Sequence, residues 1–156
     1  MTVRIGICGC GGRMGRMLAQ VGHAREGVVI AAGIEQPGSE LLGRDLGELA
    51  GLGPLGVLIG DDRAALFAAS DVVVDFTAPA STLANAAVAA DTGKGLVVGT
   101  TGLSGDDKAV LEKAADVAPI VFAANMSLGV NLLAGVARKV AAALDGLGDD
   151  ISIENA

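Results

Sequence analysis

A glycine-packed turn near the N-terminus constrains this chain more than any other feature of its sequence. The apolar segment Val3–Cys8 runs into the turn, and a helical segment over residues 16–24 follows it. Because glycine has no Cβ atom, the backbone can turn tightly and approach phosphate groups, while the N–H groups of the next helix hold negative charge. The spacing of Gly9, Gly12 and Gly15 is looser than G-x-G-x-x-G, because Met14 stands at the last position of that motif. The turn predicts the pyrophosphate site of a dinucleotide, with an ordinary strand-to-helix connection as the alternative.

An acidic residue follows at the distance that such a site requires. The apolar run Val28–Ile34 ends at Glu35, twenty positions after Gly15. A carboxylate at the end of the second strand of a βαβ unit accepts hydrogen bonds from the adenosine ribose and repels a 2′-phosphate. A solvated acid at a strand end is the alternative reading. Turn, helix, strand and acid in this order favour a dinucleotide-binding fold.

The composition agrees with a sheet that is covered on both faces. The 156 residues include 24 glycines and three phenylalanines but no tyrosine or tryptophan, so the core must consist of Ala, Val, Leu and Ile. Such a core is typical of a parallel sheet packed between helices. The net charge of −7, with no basic cluster, argues against nucleic acid or an anionic membrane as a partner. We also expect no signal peptide, because Arg4 and the glycine turn interrupt the first apolar run, and no membrane span, because no uninterrupted apolar stretch is long enough.

The two cysteines and the single histidine do not form a recognisable reactive or metal-binding motif. Cys8 and Cys10 are too close along the chain for an easy disulfide, and with His23 they supply too few ligands for a metal site. We therefore predict no metal and a reducing compartment, the cytoplasm. His23 is expected at the surface near the end of the first helix, where a protonated ring favours the helix dipole.

Strand and helix patterns alternate along the rest of the chain, which predicts an α/β fold of the Rossmann-like, doubly wound type with a mainly parallel sheet. Pro79 suits a first helical turn, and Ser104 with Asp107 resembles a capping box. Residues 36–56 are rich in glycine and predict a long surface connection with a short helical turn at Leu41–Leu42 or Leu46–Leu49. The further predicted strands lie near residues 57–59, 71–76, 96–99 and 120–123, and the further helices near 62–69, 79–91, 104–116 and 127–144.

Polar or small residues follow three of these strands. They are the segments 75–77, 99–102 and 123–127, with sequences Asp-Phe-Thr, Gly-Thr-Thr-Gly and Ala-Ala-Asn-Met-Ser. Taken singly, each is typical of turns and helix caps. Because a doubly wound sheet binds its ligand outside the carboxyl ends of its strands, their convergence predicts the nicotinamide end of a cofactor there.

These segments together resemble the 4-hydroxy-tetrahydrodipicolinate reductase (dihydrodipicolinate reductase) family of the lysine and diaminopimelate pathway. The resemblance covers essentially the whole chain, and its later motifs are more specific than the glycine turn. It rests on residues 9–16 (Gly-Cys-Gly-Gly-Arg-Met-Gly-Arg), Glu35, residues 74–77 (Val-Asp-Phe-Thr), residues 99–102 and residues 122–131 (Phe-Ala-Ala-Asn-Met-Ser-Leu-Gly-Val-Asn).

The resemblance implies a cofactor site and a nicotinamide cofactor. The implied pyrophosphate-binding residues are Gly9, Cys10, Gly11, Gly12, Arg13 and Met14, and the implied ribose ligand is Glu35. The implied nicotinamide-side residues are Phe76, Thr77, Gly99, Thr100, Thr101, Ala123, Ala124, Asn125 and Met126. Family members that accept NADPH well often carry a basic residue after the ribose acid, where this chain has Gln36. We therefore expect NADH to be favoured, with NADPH as the alternative.

The family's substrate domain opens with a strand, two adjacent histidines and a lysine, and that motif is absent here. Residues 150–156 resemble the opening strand, and the only histidine stands at position 23. The resemblance thus implies a dinucleotide-binding domain over residues 1–126, a linking helix over 127–148 and the start of a truncated substrate domain over 149–156. No catalytic residue is predicted in these 156 residues.

Two functions of different class therefore compete at the level of sequence. One is a reductase chain whose full form transfers hydride to a cyclic imine dicarboxylate and is a homo-oligomer, as the family implies. The other is a dinucleotide-binding module without turnover of its own. A homoserine or aspartate dehydrogenase is a weaker third candidate. The apolar face of the helix over 127–144 would be covered partly by missing segments, so we also expect self-association or a poorly ordered tail.

Overall fold

The computed structural model describes residues 1–123 and 125–144, which fall into two compact units, 1–124 and 125–156. The first unit is built around one six-stranded sheet with strand order β3-β2-β1-β4-β5-β6, and all neighbouring strands are parallel. This confirms the predicted Rossmann-like, doubly wound fold. The strands are β1 (Val3–Cys8), β2 (Val28–Ile34), β3 (Ile59–Gly60), β4 (Val72–Asp75), β5 (Gly95–Val98) and β6 (Ile120–Phe122). The helices of this unit are α1 (Arg13–His23), α2 (Leu46–Leu49), α3 (Arg63–Ala69), α4 (Pro79–Thr92) and α5 (Gly105–Ala115).

The register of the sheet brings several strand ends to one edge. Cys8 of β1 pairs with Asp75 of β4, Asp75 pairs with Val98 of β5, and Val98 pairs with Phe122 of β6. The segments that follow these strands therefore leave the sheet side by side. This is the edge at which parallel α/β sheets bind their ligands.

Helices cover both faces of the sheet, as the composition requires. On one face the aliphatic side chains of β1, β2 and β3 pack with those of α1 and α2, including Ile7, Ala19 and Leu46. On the other face α3, α4 and α5 pack on the sheet around Phe67, the one fully buried aromatic ring among the described residues, and Val73. Burial on both faces explains why the strands consist almost wholly of Val, Ile, Leu, Ala and Gly rather than alternating with polar residues.

The helix starts follow their predicted chemistry. Ser104 and Asp107 form a capping box at the start of α5, with the Ser104 N–H donating to Asp107 at 2.8 Å. Pro79 occupies the first turn of α4. The carboxylates of Asp45 and Asp62 cap α2 and α3. These side chains accept N–H groups that have no partner within the helix.

The glycine-rich connection over residues 36–56 is only partly a surface feature. Its predicted helical turn is confirmed as α2, and β3 begins two residues later than the predicted start at Val57. Leu46 is fully buried, and Ala50 is nearly so. The surface prediction is therefore wrong for this part, because Leu46 and Ala50 belong to the same buried apolar cluster as Ile7 and Ala19.

The second unit contains helix α6 (Leu128–Leu144). Its start is held by polar contacts within the unit: the Asn125 side chain accepts from the Ser127 N–H at 2.8 Å, and the Asn131 amide donates to the Asn125 and Ser127 carbonyls at 3.0 Å. The predicted strand over 150–156 lies outside the described residues. Within the described part of the chain, no helix is both long and apolar enough to cross a membrane.

Candidate functional site

The glycine turn folds into a tight loop between β1 and α1. Gly9 has a positive φ of 72°, and the Gly9 and Cys10 N–H groups both donate to the Ile34 carbonyl, at 2.9 and 3.2 Å. The Gly12 N–H donates back to the Gly9 carbonyl at 3.2 Å. A Cβ atom at Gly15 would overlap the Gly9 carbonyl oxygen and the Cys10 backbone. Gly9 is required for its backbone conformation and Gly15 for the close packing of helix on loop.

The N-terminus of α1 is open to an anion. Its N-cap residue, Gly12, supplies no side-chain cap, and the first turn contains no acidic residue. The N–H groups of the first turn of a helix have no partner within the helix, and together with the helix dipole they attract negative charge. A Cβ at Gly12 would meet only the Gly9 carbonyl oxygen, at 3.4 Å, so Gly12 leaves open space in front of these donors. The loop therefore fits a pyrophosphate group.

Glu35 lies directly beyond β2, and its carboxylate contacts the loop. It accepts a hydrogen bond from the Gly11 N–H at 2.7 Å, while Arg16 Nε donates to the Gly11 carbonyl at 2.9 Å. A Cβ at Gly11 would overlap the Leu41 side chain and approach the Glu35 carboxylate to 3.1 Å. One carboxylate oxygen of Glu35 thus holds the loop, and the carboxylate retains the capacity to accept further hydrogen bonds.

Two clefts adjoin the loop and share Gly9 as a lining residue. One, of about 300 Å³, is lined by Glu35, Gln36, Asp61, Arg63 and neighbours from β1, β2 and the start of α4. The other, of about 480 Å³, is lined by the loop, Met14, Met17 and Phe76. A dinucleotide with its pyrophosphate on the loop has one nucleoside on each side, so the pair of clefts matches its two halves. We term them the adenosine cleft and the Phe76 cleft.

A buried polar network lies behind the ends of β4 and β5. The carboxylate of Asp75, 0% exposed, accepts from the Thr77 N–H (3.0 Å), the Thr77 hydroxyl (2.5 Å), the Thr82 hydroxyl (2.8 Å) and the Asn85 amide (2.9 Å). The Thr82 and Thr100 hydroxyls lie 2.8 Å apart. Among the described residues, every buried side-chain polar atom has a hydrogen-bond partner. The network fixes the backbone that follows two strands at the ligand-binding edge.

The structure brings the first two predicted strand-end segments together. The Thr77 N–H donates to the Thr100 hydroxyl at 3.1 Å, and a Cβ at Gly99 would overlap the Phe76 ring. Thr101 is exposed beside them, whereas the Thr100 side chain is buried and held by the network. Ala123 follows β6, where its N–H donates to the Val98 carbonyl at 3.1 Å. Ala124 lies outside the described residues, and Asn125 and Met126 belong to the second unit.

Arg63, Thr82 and Asn85 are site-forming residues that sequence reasoning did not single out. Thr82, Asn85 and Ala89 recur at helical spacing and are all buried in α4. The sequence signal that could have identified Thr82 and Asn85 is their position on the apolar face of an alanine-rich helix. Polar groups that are buried there need hydrogen-bond partners. Arg63 carried no such signal, since an arginine at a helix start is most often solvated.

Both cysteines are free, and their thiols are buried. Burial raises the pKa of Cys10 to about 12, and the neighbouring Glu35 carboxylate adds to the rise. Burial also raises the pKa of Cys8. Cys10 is predicted to contact the pyrophosphate, and only its backbone is placed to do so. Its neutral thiol packs in the core near Gly33. His23 is exposed in the last turn of α1, as predicted.

Comparison with known proteins gives a consistent family relationship. The family described as dihydrodipicolinate reductase, N-terminus, matches residues 3–126. A 4-hydroxy-tetrahydrodipicolinate reductase from Rhodopseudomonas palustris (strain TIE-1) is 49% identical over 152 residues, which is 97% of this chain and 55% of the relative. The enzyme of the same name from Chromohalobacter salexigens is 50% identical over 153 residues, 98% of this chain and 57% of the relative. The chain thus spans about half the length of the curated relatives it matches.

Among solved structures, the dipicolinate-bound dihydrodipicolinate reductase from Paenisporosarcina sp. TG-14 is similar with a TM-score of 0.59. The match covers 75% of this chain and 44% of that chain at 21% identity. At that identity the likeness shows a shared fold.

Proposed function

The chain belongs to the dihydrodipicolinate reductase family, and from this premise we propose that it is the cofactor-binding part of an NAD(P)H-dependent reductase. The reaction is reduction of 4-hydroxy-tetrahydrodipicolinate or dihydrodipicolinate to tetrahydrodipicolinate, in the lysine and diaminopimelate pathway of the cytoplasm. The family match over residues 3–126 and the names of the relatives support this assignment. The proposed organisation is a dinucleotide-binding domain over 1–126, a linking helix over 127–148 and the start of a substrate domain over 149–156.

The observation that carries the proposal is the open N-terminus of α1 between two clefts, one of which contains Glu35. In this assignment the loop from Gly9 to Met14 binds the pyrophosphate through backbone N–H groups, and Glu35 accepts from the adenosine ribose. The nicotinamide half occupies the Phe76 cleft and the segments after β4, β5 and β6. The missing Cβ atom of Gly12 leaves the space that the pyrophosphate needs, whereas Gly9, Gly11 and Gly15 allow the tight packing of the loop itself.

When bound, the nicotinamide supplies the hydride, and the residues of this chain bind and orient it. The Asp75 network holds the Thr77 and Thr100 backbone in place before the cofactor arrives, so little ordering is left for the binding step. Phe76, half-buried against Gly99, presents apolar surface that excludes water from the cleft.

NADH is the cofactor that we propose to be preferred. Glu35 carries a negative charge beside the ribose, and Gln36, which lines the same cleft, is neutral. A 2′-phosphate would be repelled by the Glu35 carboxylate and would gain a hydrogen bond but no Coulomb attraction between opposite charges from Gln36.

A second candidate function is a dinucleotide-binding module that performs no turnover by itself. These 156 residues contain one histidine, at the end of α1, so the histidine pair expected from the family resemblance does not lie within them. Both candidates share the cofactor site, so a binding experiment tests their common part.

The test is calorimetric titration of the purified chain with NADH, using Gly12→Val. A Cβ atom at position 12 makes only an ordinary contact with the Gly9 carbonyl oxygen, so we expect the fold to persist, but the valine would stand where the pyrophosphate approaches the α1 N–H groups. We expect NADH binding to be abolished. Gly105→Val is the matched control, because Gly105 opens α5 and a Cβ there has nothing within 4 Å. Equal NADH affinity in wild type and Gly12→Val would contradict the assignment.

A further inference from the structure

Arg63 is the one cationic side chain that lines the adenosine cleft in the described part of the chain. The other charged residues of its lining are Glu35 and Asp61, so two carboxylates face one guanidinium. The cleft as a whole carries a formal charge of about −1, which agrees with a preference for NADH. The position of the Arg63 guanidinium therefore determines how strongly the cleft can bind an additional phosphate group on the adenosine ribose.

A chain of two hydrogen bonds connects the guanidinium of Arg63 to the buried Asp75 carboxylate. The Arg63 Nε donates to the Asn85 side-chain oxygen at 2.6 Å, and the Asn85 amide donates to the buried Asp75 carboxylate at 2.9 Å. Arg63 itself is half-buried at the first position of α3. The side chain therefore reaches the cleft on a rigid support that extends from the interior of the domain.

The two terminal Nη groups of Arg63 take no part in this hydrogen bond. Across residues 1–123 and 125–144, the only hydrogen bond that the Arg63 side chain makes is the one from Nε. A planar guanidinium whose position is already fixed by one edge presents its other donors at little further entropic cost. Such a group is suited to a phosphate, which accepts several charge-assisted hydrogen bonds at once.

We propose that Arg63 is a specificity-determining residue that allows the adenosine cleft to accept the 2′-phosphate of NADPH. The inference rests on the proposed function, since it takes the adenosine half of the cofactor to occupy this cleft. Gln36 occupies the sequence position where family members that accept NADPH well often carry a basic residue, and Arg63 lines the same cleft from the start of α3. NADH remains the favoured cofactor because Glu35 and Asp61 oppose the phosphate, and Arg63 limits that discrimination.

A purely structural role for Arg63 makes a different prediction. If the side chain served only to pack α3 against α4 through Asn85, its removal would weaken both cofactors alike or lower the stability of the fold. A charge that acts on the 2′-phosphate changes the ratio of the two affinities, and it does so less at high ionic strength. The ratio is therefore the decisive quantity.

The experiment measures NADH and NADPH affinities of the whole chain by calorimetry, at low and high salt, for wild type, Arg63→Gln and Arg63→Lys. In Arg63→Gln we expect NADPH affinity to fall roughly tenfold or more, the loss typical of a hydrogen bond to a charged group, and NADH affinity to change less than about threefold. Arg63→Lys should recover part of the NADPH affinity. Arg25→Gln is the matched control for net charge, because Arg25 is exposed just beyond α1, at the opposite edge of the sheet.

The outcomes separate the two proposals. If wild type binds NADH and Arg63→Gln leaves the NADPH to NADH ratio unchanged, or if wild type binds no NADPH, the role of Arg63 is overturned and the proposed function stands. If wild type binds neither dinucleotide, the proposed function fails and the inference fails with it. A ratio shift in Arg63→Gln that shrinks at high salt supports the inference.

Discussion

Asp75 joins more parts of the candidate site than any other single residue. Its carboxylate contacts the segment after β4 through Thr77, the buried face of α4 through Thr82 and Asn85, and through Asn85 the guanidinium of Arg63. All four hydrogen bonds are donated to the carboxylate, so an acceptor-only group is required there. Asp75 therefore positions both the segment that follows β4 and, through Asn85, the Arg63 side chain.

Replacing Asp75 by Asn should therefore destabilise the fold although the size is nearly unchanged. The NH₂ group of asparagine can only donate, so it would replace a carboxylate oxygen that accepts hydrogen bonds. At least one buried donor would then have no partner, at a cost of about 1–3 kcal/mol in the free energy of unfolding. Urea denaturation measures this loss. Asp71→Asn is a suitable control, because Asp71 is exposed and, among the described residues, its carboxylate accepts only from the Arg4 N–H. Equal stability of Asp75→Asn and wild type would mean that the network does not hold the strand ends.

At the level of elements, the connection between β2 and β3 depends on one capping carboxylate. Asp45 caps α2 by accepting from the Gly47 and Glu48 N–H groups, and it also accepts from Leu55 at 3.0 Å and Gly56 at 2.7 Å. These backbone hydrogen bonds, that from Leu55 foremost, lower the pKa of Asp45. A glycine-rich segment without regular periodicity is thereby closed into a fixed shape that positions Leu46 in the core.

The lowered pKa predicts the acid response of this element. A carboxylate whose pKa is lower in the folded than in the unfolded state stabilises the fold above its unfolded pKa, and this contribution is lost as pH falls through the folded pKa. With an unfolded value of about 3.9, the loss should begin below about pH 5. Asp45→Asn should be less stable than wild type at pH 7 and approach it in acid.

Urea denaturation of both proteins as a function of pH provides the measurement. Asp91→Asn, at an exposed position near the end of α4, supplies the comparison for removal of one negative charge. If the stability difference between wild type and Asp45→Asn is the same at pH 7 and in acid, the cap does not act through its charged form.

At the scale of the whole molecule, α6 carries large apolar side chains that are exposed in the described residues. Leu128, Leu132 and Leu133 are 84%, 66% and 68% exposed, and Val136 and Val140 are about half exposed. Exposed apolar patches of this kind mark surfaces that pack against other protein. The described part of this unit offers no further element that covers them.

This exposed face leads us to expect that the isolated 156-residue chain self-associates. Because these residues do not include the histidine pair expected from the family resemblance, we also expect no reductase turnover from them alone. Light scattering measures the self-association. A steady-state assay with NADH and the cyclic imine substrate measures the turnover. Leu132→Glu with Leu133→Glu should reduce self-association, whereas Val110→Glu, on the exposed side of α5, should not. A monodisperse monomer would refute the role of the α6 face. Turnover well above background would show that the missing histidine pair is dispensable.

The amino-acid sequence by itself determined the features that depend on neighbouring residues. The glycine turn, Pro79 at a helix start and the Ser104–Asp107 capping box follow from backbone sterics and local hydrogen bonds, which involve residues only a few positions apart. The Rossmann-like topology could be predicted as well, because alternating apolar strands and helices allow few other arrangements.

Only the tertiary structure decided which distant side chains share a cleft or a hydrogen bond. Arg63 contacts Asn85, 22 positions further on, because α3 and α4 pack side by side on the same face of the sheet, and no periodicity in the sequence records that contact. The same holds for Leu46, which lies in a segment with surface composition but is fully buried in the core. Packing between elements depends on shape and register in three dimensions, whereas a sequence pattern reports only the residues along one element.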